Sequence, residues 1–441
     1  MRENYTFITF REVNVIAFKN SKTEKALSGL ESGIFLKNSE KKFLLRLESD
    51  FRFTFRNLEL LSQWLLDCHM WDESAYFQKA MNIADSLAAN TNKQTSTQKR
   101  DDCFKKLQQL YLAFQIKEKS YPAKKANMTL PQYQIESKTL QGEFFRTCQA
   151  FSEQTLCCNL KVLNIIDNCA MDCAYCILHN HYDDAVIKVP TNLKEQLQKL
   201  SIPKDQRWRV GTGEHSDSLL LGNKNNVLTD LCDFAKKTPH IILELKTKSS
   251  NVEFFLHNNV PPNICCSWTL NSPTIIAHEE HKTAGLKQRL RAARLVANRG
   301  VKIGFHLHPM IYYKGWEKDY QNLIGELITL FEPHEVLWLS FGTVTIIKGL
   351  EKELRKNFRK SKVLQMAMEV TPDNKTTYPY NIRTSLYQNA LEAASPWQGK
   401  VFQYLCMEPT SMWEEVMGMA YGDSDKLNDA INKSAFGKIK T

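Results

Sequence analysis

The chain has 441 residues, 43% hydrophobic and 24% charged, which suits two or three packed domains and excludes a wholly disordered chain. Nowhere do 18 apolar residues run together, and no basic segment precedes an early apolar run. Neither a membrane span nor a secretory leader is therefore expected, and a soluble cytoplasmic protein is. The net charge of +10 is moderate, and the twelve cysteines are expected to stay reduced.

Residues 1–150 carry helical apolar spacing in "NLELLSQWLLDCHMW", "YFQKAMNIADSLAA" and "CFKKLQQLYLAFQIKEK". The polar stretch "NTNKQTSTQKRDD" (90–102) reads as a break, and 119–134 as an irregular connector. A mainly helical N-terminal region of unknown role is expected over 1–150. From about 160 the text alternates. The β-rich runs are "KVLNIID", "RWRVGTGE", "HIILELKTK", "NICCSWTLN", "KIGFHLHPMI", "VLWLSFGTV" and "VFQYLCME". Helical patterns separate most of them, for example "VLTDLCDFAKK", "LKQRLRAARLVAN" and "YQNLIGELITLF". Strand and helix in alternation predict an α/β domain with a parallel sheet, taken here as residues 151–421, with 422–441 as a basic tail.

Side chains alternate across a strand. Ile241, Leu243 and Leu245 oppose Glu244, Lys246 and Lys248, while Ser267, Thr269 and Asn271 line up together. Ile303, Phe305 and Leu307 oppose Gly304, His306 and His308. A doubly wound sheet buries apolar residues on both faces. One apolar and one polar face fit a complete or partial (β/α) barrel with a polar interior, whose chemistry sits at the strand C-termini.

The segment "NCAMDCAYC" places Cys169, Cys173 and Cys176 at C-x3-C-x2-C. Chance is a poor account of that clustering. A structural zinc site normally pairs C-x2-C with a second pair, and here a histidine or remote cysteine would have to complete it. A four-iron cluster is usually held by four thiolates, so three leave one iron open for a chelating small molecule. This spacing, with Tyr175 just before the last cysteine, resembles the signature of radical S-adenosylmethionine enzymes.

More text resembles the spore photoproduct lyase-like branch of that superfamily. The matching segments are "CAMDCAYCILHN", "GTGEHSDSL", "LELKTKS", "SWTLNSP", "EEHKTAGLKQRLRAA", "GFHLHPMIYYKGWEKDY" and "YLCMEP". The resemblance implies a radical S-adenosylmethionine partial barrel. It implies a 4Fe-4S cluster on Cys169, Cys173 and Cys176, with S-adenosylmethionine bound at its open iron. It also implies an electron donor such as flavodoxin or ferredoxin, and reductive cleavage to a 5′-deoxyadenosyl radical that abstracts hydrogen from a substrate. By similarity, Ser216, Lys246 and Thr269 stand near S-adenosylmethionine, as do Tyr175 and Asn271. Gly211 and Gly213 allow close backbone approach, and Glu214 can accept charge-assisted bonds from an ammonium. Two positions depart from the family pattern. Glu214 stands where the family's hydrogen-donor cysteine belongs, and Ile177 where an assisting tyrosine belongs. Neither side chain offers a thiol or phenol.

Cys148, Cys157, Cys158 and Cys406 are candidates for a second metal site, or are buried thiols. Cys265 and Cys266 face opposite sides of one strand and cannot share an ion. His306 and His308 line the barrel interior toward substrate, or ligate a hydrolase metal. Tyr312, Tyr313 and Trp316 stack on bases or pack. No acidic residue occurs from Lys282 to Trp316, where Lys282, Lys287, Arg289, Arg291, Arg294, Arg299, Lys302 and Lys314 all lie. That run and "KGLEKELRKNFRKSK" (348–362) suit DNA or RNA phosphates, or are solvated helix faces. Besides the radical enzyme, a zinc-stabilised nucleic-acid-binding protein and a His-x-His metal hydrolase remain open.

Overall fold

The computed structural model describes residues 35–89, 95–123, 132–149, 151–182, 184–347, 349–364 and 368–439. The opening segment 1–34, the first half of the expected polar break and the middle of the 119–134 connector lie outside them. The chain divides into two compact units at Gln115/Ile116, upstream of the boundary expected at 150.

The first unit is helical, with α1 (Asn38–Phe51), α2 (Phe55–Met70), α3 (Ala75–Ala88) and α4 (Ser96–Gln115). Leu44, Leu47, Leu58, Leu61, Trp64, Leu107 and Tyr111 form its core. The Trp64 and Tyr111 rings stack at 5.0 Å, and Tyr111 donates to Asp67 at 2.8 Å. Residues 96–102, expected as loop, are the first turns of α4. Thr95 Oγ1 accepts from Gln98 N at 3.2 Å while Gln98 Oε1 accepts from Thr95 N at 2.9 Å. This reciprocal cap satisfies amide donors that would otherwise be orphaned, so a polar stretch starts a helix.

The second unit opens with β1 (Gln134–Lys138), β2 (Phe145–Thr147), β3 (Lys161–Leu163), β4 (Val186–Pro190) and α5 (Leu193–Lys199). There follow β5 (Trp208–Thr212), α6 (Val227–Lys237), β6 (Ile241–Thr247), α7 (Glu253–His257), β7 (Ile264–Thr269), α8 (Pro273–Glu279) and α9 (Leu286–Asn298). Then come β8 (Lys302–Met310), α10 (Trp316–Leu330), β9 (Val336–Thr343), β10 (Thr345–Ile346), α11 (Leu350–Asn357), β11 (Glu369–Val370) and β12 (Thr376–Thr377). The chain ends with α12 (Tyr380–Ala393), β13 (Phe402–Leu405), α13 (Thr410–Met417) and α14 (Ser424–Lys438). One eight-stranded sheet runs β13-β9-β8-β7-β6-β5-β3-β2, parallel except for β2. It is a curled half-barrel with β2 and β13 as its edges. All seven β-rich runs of the sequence became strands of this sheet.

The polar faces expected of β6 to β8 do turn inward, and Glu244, Ser267, Thr269 and His306 are buried there while Lys246, Lys248 and His308 are half-buried. Glu244 Oε1 accepts from Ser267 Oγ and lies against His306 Nε2, both at 2.6 Å. His306 Nδ1 meets Ser340 Oγ at 2.5 Å, and Ser340 meets His308 Nε2 at 3.1 Å. The register makes this possible, because Thr269 pairs with His306 and His306 with Ser340 across adjacent strands. Hydrogen bonds offset the burial of Ser267, His306, Ser340 and Glu244 Oε1, while Glu244 Oε2 is buried without a hydrogen-bond partner. Gly304 leaves room for the Trp338 indole, whose Nε1 stands 2.4 Å from where a Cβ would sit.

Within the expected basic tail, Ser424–Lys438 form α14, which packs against the sheet. Leu427, Ile431 and Ala435 of α14 are fully buried. The Lys438 ammonium donates to Val336 O at 2.6 Å and Pro333 O at 2.8 Å. Among the described residues, no helix is long and apolar enough to cross a membrane.

Candidate cofactor and active site

Downstream of β3, the chain bends through Asn168, whose φ of 69° is left-handed. Asparagine tolerates that conformation when its amide is bonded locally. Here the amide donates to Asp184 O at 2.8 Å and accepts from Cys169 N at 2.7 Å. The loop that follows is pinned. Ala174 N donates to Glu279 O at 2.8 Å, Cys176 N to Cys173 O at 3.0 Å, and His179 Nε2 lies 2.9 Å from Cys173 O.

Beneath this loop, Glu280 is fully buried and ion-paired to Arg289. It also accepts from Tyr175 Oη at 2.5 Å, while Arg289 donates to Thr269 O at 2.8 Å. The pair thus couples the cysteine loop to the end of β7. Arg289, opposite charges close by and hydrogen bonding together keep the Glu280 carboxyl below its ordinary range despite its burial.

A second wall comes from the end of β5. Gly213 has φ of 91°, and a Cβ there would meet Lys246 O and Ser218 Oγ, both at 2.8 Å, so only glycine fits. Asp217 is buried and takes four partners, namely Leu219 N at 3.0 Å, Leu220 N at 2.8 Å, Thr247 Oγ1 at 2.8 Å and Lys248 N at 2.7 Å. That carboxylate ties the β5 and β6 ends together.

The three cysteines, Gly213, Glu214, Ser216, Lys246 and Thr269 line one cavity, joined by Asp172, Tyr133, Tyr182, Asp217 and Lys248. It encloses about 680 Å³ of atom-free space including its open mouth. Burial pushes all three thiols up, and the Lys248 ammonium opposes this at Cys173 and Cys176. Burial also works against the Lys248 charge, but Cys173 and Glu280 outweigh it and hold its pKa above the ordinary lysine value.

Several expected site residues lie elsewhere. Gly211 packs on Leu160, whose Cδ2 would be 2.9 Å from a Cβ at that position. Asn271 is fully buried, donating to Pro309 O and accepting from Tyr320 Oη, both at 2.8 Å. Tyr175 serves Glu280, and His306 is 4% exposed and bonded inside the barrel, so neither lines the cavity. Tyr313 and Trp316 are core residues, Tyr313 bonding Ser272 Oγ at 2.7 Å, while Tyr312 donates to Glu118 at 2.7 Å. Their burial selects packing over base stacking for Tyr313 and Trp316. Glu214 is already engaged, accepting from Gln149 N and Asn164 Nδ2, both at 2.7 Å, with Arg146 at 3.4 Å.

Sequence reasoning passed over Asp217, Lys248, Glu280 and Arg289 as site residues. The words "HSD" and "KTK" held a signal for the first two. Nothing local marks the ion pair. Four of the eight basic residues in the run 282–316 are engaged within the fold, while Lys287, Arg291, Arg299 and Lys314 are exposed. Lys282 pairs with Asp172 at 3.1 Å, Arg289 with Glu280, Arg294 Nη1 with Glu335 at 2.8 Å, and Lys302 donates to His334 O at 2.8 Å. Among the described residues, no three His, Cys, Asp or Glu side chains converge on a single-ion site. Cys157 and Cys158 bond each other, and that bond, with Arg209 beside Cys158, holds the Cys158 thiol well below its ordinary value while Cys157 is pushed up.

The spore photoproduct lyase family model matches residues 93–394. This chain belongs to the spore photoproduct lyase family. It is therefore a member of the radical S-adenosylmethionine superfamily. Spore photoproduct lyase of Clostridium acetobutylicum is 26% identical over 188 residues, 41% of this chain and 53% of that protein. The Geobacillus protein of the same name is 26% identical over 202 residues, 44% of this chain and 59% of its own length. The chain thus spans somewhat more than half the length of these relatives. A solved spore photoproduct lyase complexed with dinucleoside spore photoproduct aligns over 62% of this chain and 82% of its own, with a TM-score of 0.53 and 19% identity. That likeness establishes the shared fold.

Proposed function

We propose that this family member is a radical S-adenosylmethionine enzyme whose reaction centre is the cavity at the C-terminal ends of β5, β6 and β7. The observation that carries the reading is convergence. Three cysteines from one loop meet Gly213, Ser216, Lys246, Lys248 and Thr269 from three strand ends. Cys169, Cys173 and Cys176 would hold a 4Fe-4S cluster, and the soft donor set with a nearby ammonium fits that group. Bound there, the cluster supplies the electron that cleaves S-adenosylmethionine to methionine and a 5′-deoxyadenosyl radical.

The protein's share is binding, orientation and exclusion of water. Lys246 and Lys248 present ammonium groups suited to the cosubstrate carboxylate. Gly213 lets its backbone approach closely. Ser216 and Thr269 offer hydroxyls. The carboxylate of Glu214 stays charged, because hydrogen bonds from Asn164 and Gln149, with Arg146 close by, outweigh its burial. It can take an ammonium as a further partner.

The substrate proposed is a nucleic-acid lesion or a nucleotide-like molecule, supported by family membership and by the dinucleoside bound to the solved relative. Reversal of a thymine dimer is not assigned. Glu214 and Ile177 replace the thiol and phenol that the family pattern places at those positions, so hydrogen return must differ here.

The test is anaerobic reconstitution. About four iron and four sulfide per chain and release of 5′-deoxyadenosine are expected, both lost in Cys173→Ala. Zinc in place of iron would leave the zinc-stabilised reading standing. Retention of metal in the cysteine variant with loss in His306→Ala would leave the hydrolase.

A further inference from the structure

Returning a hydrogen atom to a carbon radical takes an X–H bond weaker than an aliphatic C–H bond. Phenols and thiols have such bonds. Alcohols, amides and ammonium groups do not. Among the described residues lining the cavity, the thiols are those of Cys169, Cys173 and Cys176, which the proposed cluster would occupy. The phenols are those of Tyr133 and Tyr182. Tyr133 Oη donates to Asp172 at 2.7 Å, and the Lys282 ammonium lies 5.0 Å from its ring. Its hydrogen is held by a charge-assisted bond that must break before the atom can move.

Tyr182 is placed differently. It follows the 3-10 turn Ile177–Asn180, and its amide donates to Leu178 O at 3.1 Å. Its ring stands edge-on to that of His215, with centroids 6.3 Å apart, and Oη lies 3.4 Å from His215 Nδ1. His215 Nε2 faces Arg146 Nη2 at 2.8 Å and Gln149 Nε2 at 2.5 Å. A guanidinium only donates, so Nε2 accepts and the neutral ring carries its hydrogen on Nδ1. Burial keeps His215 below its ordinary value, which suits that neutral ring. Nδ1–H therefore points at Tyr182 Oη, and the phenol keeps its own hydrogen for Asp167 or for a group in the cavity. Burial, then the Asp167 charge, push Tyr182 up to about 12, so the phenol is neutral at physiological pH. Since His215 follows Glu214, this phenol stands beside the wall position from which the family's thiol is missing.

From this geometry we infer that Tyr182 is the hydrogen-atom donor of the cavity. The inference rests on the radical reading proposed above. In the step, the Tyr182 O–H bond breaks homolytically and a C–H bond forms on the carbon radical, leaving a tyrosyl radical. One electron from an external one-electron reductant, with one proton from water, restores the phenol. The His215 Nδ1–H contact holds the ring toward the cavity while this happens. Cys148 is the rival donor. Its thiol bonds the Glu214 carboxylate, but Cys148 is not among the residues that line the cavity.

The test uses the full chain loaded with its cluster, in deuterium oxide, with dithionite as reductant and neither thiol nor substrate added. S-adenosylmethionine is the probe, and mass spectrometry of the released 5′-deoxyadenosine reads its deuterium. Phenol hydrogens exchange with solvent and aliphatic ones do not, so wild type should release largely monodeuterated product. Tyr182→Phe should lose most of that label per molecule released, a ratio that does not depend on how fast the variant turns over. Tyr182→3,5-difluorotyrosine supplies a second reading, because fluorine hyperfine splitting should mark a freeze-quenched radical at this position. Unlabelled wild-type product, label retained in Tyr182→Phe, or label lost instead in Tyr133→Phe or Cys148→Ala would overturn the inference. Release of no 5′-deoxyadenosine by wild type would refute the radical reading instead. Flash photo-oxidation of the unloaded difluorotyrosine chain should still give the fluorine-split signal, and its absence there would count against Tyr182 independently of the cluster.

Discussion

His306 Nε2 lies 2.6 Å from Oε1 of Glu244, and both side chains are almost wholly buried inside the half-barrel. Burial holds His306 down to about 4, and His306 with Arg209 nearby holds Glu244 down to about 2 against the effect of its own burial. At neutral pH the pair is a neutral imidazole donating to a carboxylate. Both groups bind fewer protons folded than unfolded. Stability from this pair is therefore complete above the ordinary histidine value of 6.5 and is lost progressively as pH falls toward about 2. Thermal melts from pH 8 downward should show Tm falling from about pH 6.5. His306→Ala leaves Glu244 buried without its partner and should destabilise by about 3 kcal/mol. A Tm within a degree of wild type would refute that.

Glu279 should give the opposite slope. It is buried, accepts from Tyr121 Oη at 2.6 Å and Lys362 N at 2.8 Å, and its burial pushes it up to about 7. It keeps a proton in the fold that the unfolded chain has released. Its contribution is full below the ordinary carboxyl value of 4.5 and declines as pH rises to about 7. Glu279→Gln preserves the acceptor oxygen and cannot ionise. The variant should gain Tm relative to wild type at pH 8 but not at pH 5. Parallel pH–Tm curves for the two proteins would rule this out.

The Glu280–Arg289 pair has no solvent access on either side chain. Arg289→Met leaves a buried carboxylate with only the Tyr175 hydrogen bond and the nearby Lys248 charge, and should cost about 3 kcal/mol in urea unfolding. Glu280→Gln/Arg289→Met should recover much of that loss. If the double variant is no more stable than the single one, the cost is in packing and not in the stranded charge.

Gly213→Ala should strain the strand end by about 1–3 kcal/mol, because φ is positive and the new Cβ has no space. The same shift would move the backbone that faces the cavity. Equilibrium dialysis should show S-adenosylmethionine binding weakened at least about tenfold. Full affinity in a folded variant would remove Gly213 from the proposed cosubstrate wall.

The order of strands and helices after residue 160 was legible because periodicity is a local property. "HIILELKTK" alternates and "LKQRLRAARLVAN" repeats every three to four residues, whatever lies around them. The cysteine spacing was equally local, as were the glycine of "GTGE" and the departures at Glu214 and Ile177. Tertiary structure decided which polar residues reach the cavity and which are spent inside the fold. Asn271 and Thr269 share a strand face, yet Tyr320 and the Pro309 carbonyl claim Asn271. Arg289 and Arg294 look like phosphate ligands in the text, but their partners Glu280 and Glu335 are set by how α9 packs. The apolar stripe Leu427, Ile431, Ala435 was readable, but only its burial against the sheet turned an apparent tail into α14. Sequence patterns specify which face of an element is apolar. Which charges meet depends on strand register and helix docking between residues far apart in the chain, and no local pattern carries that information.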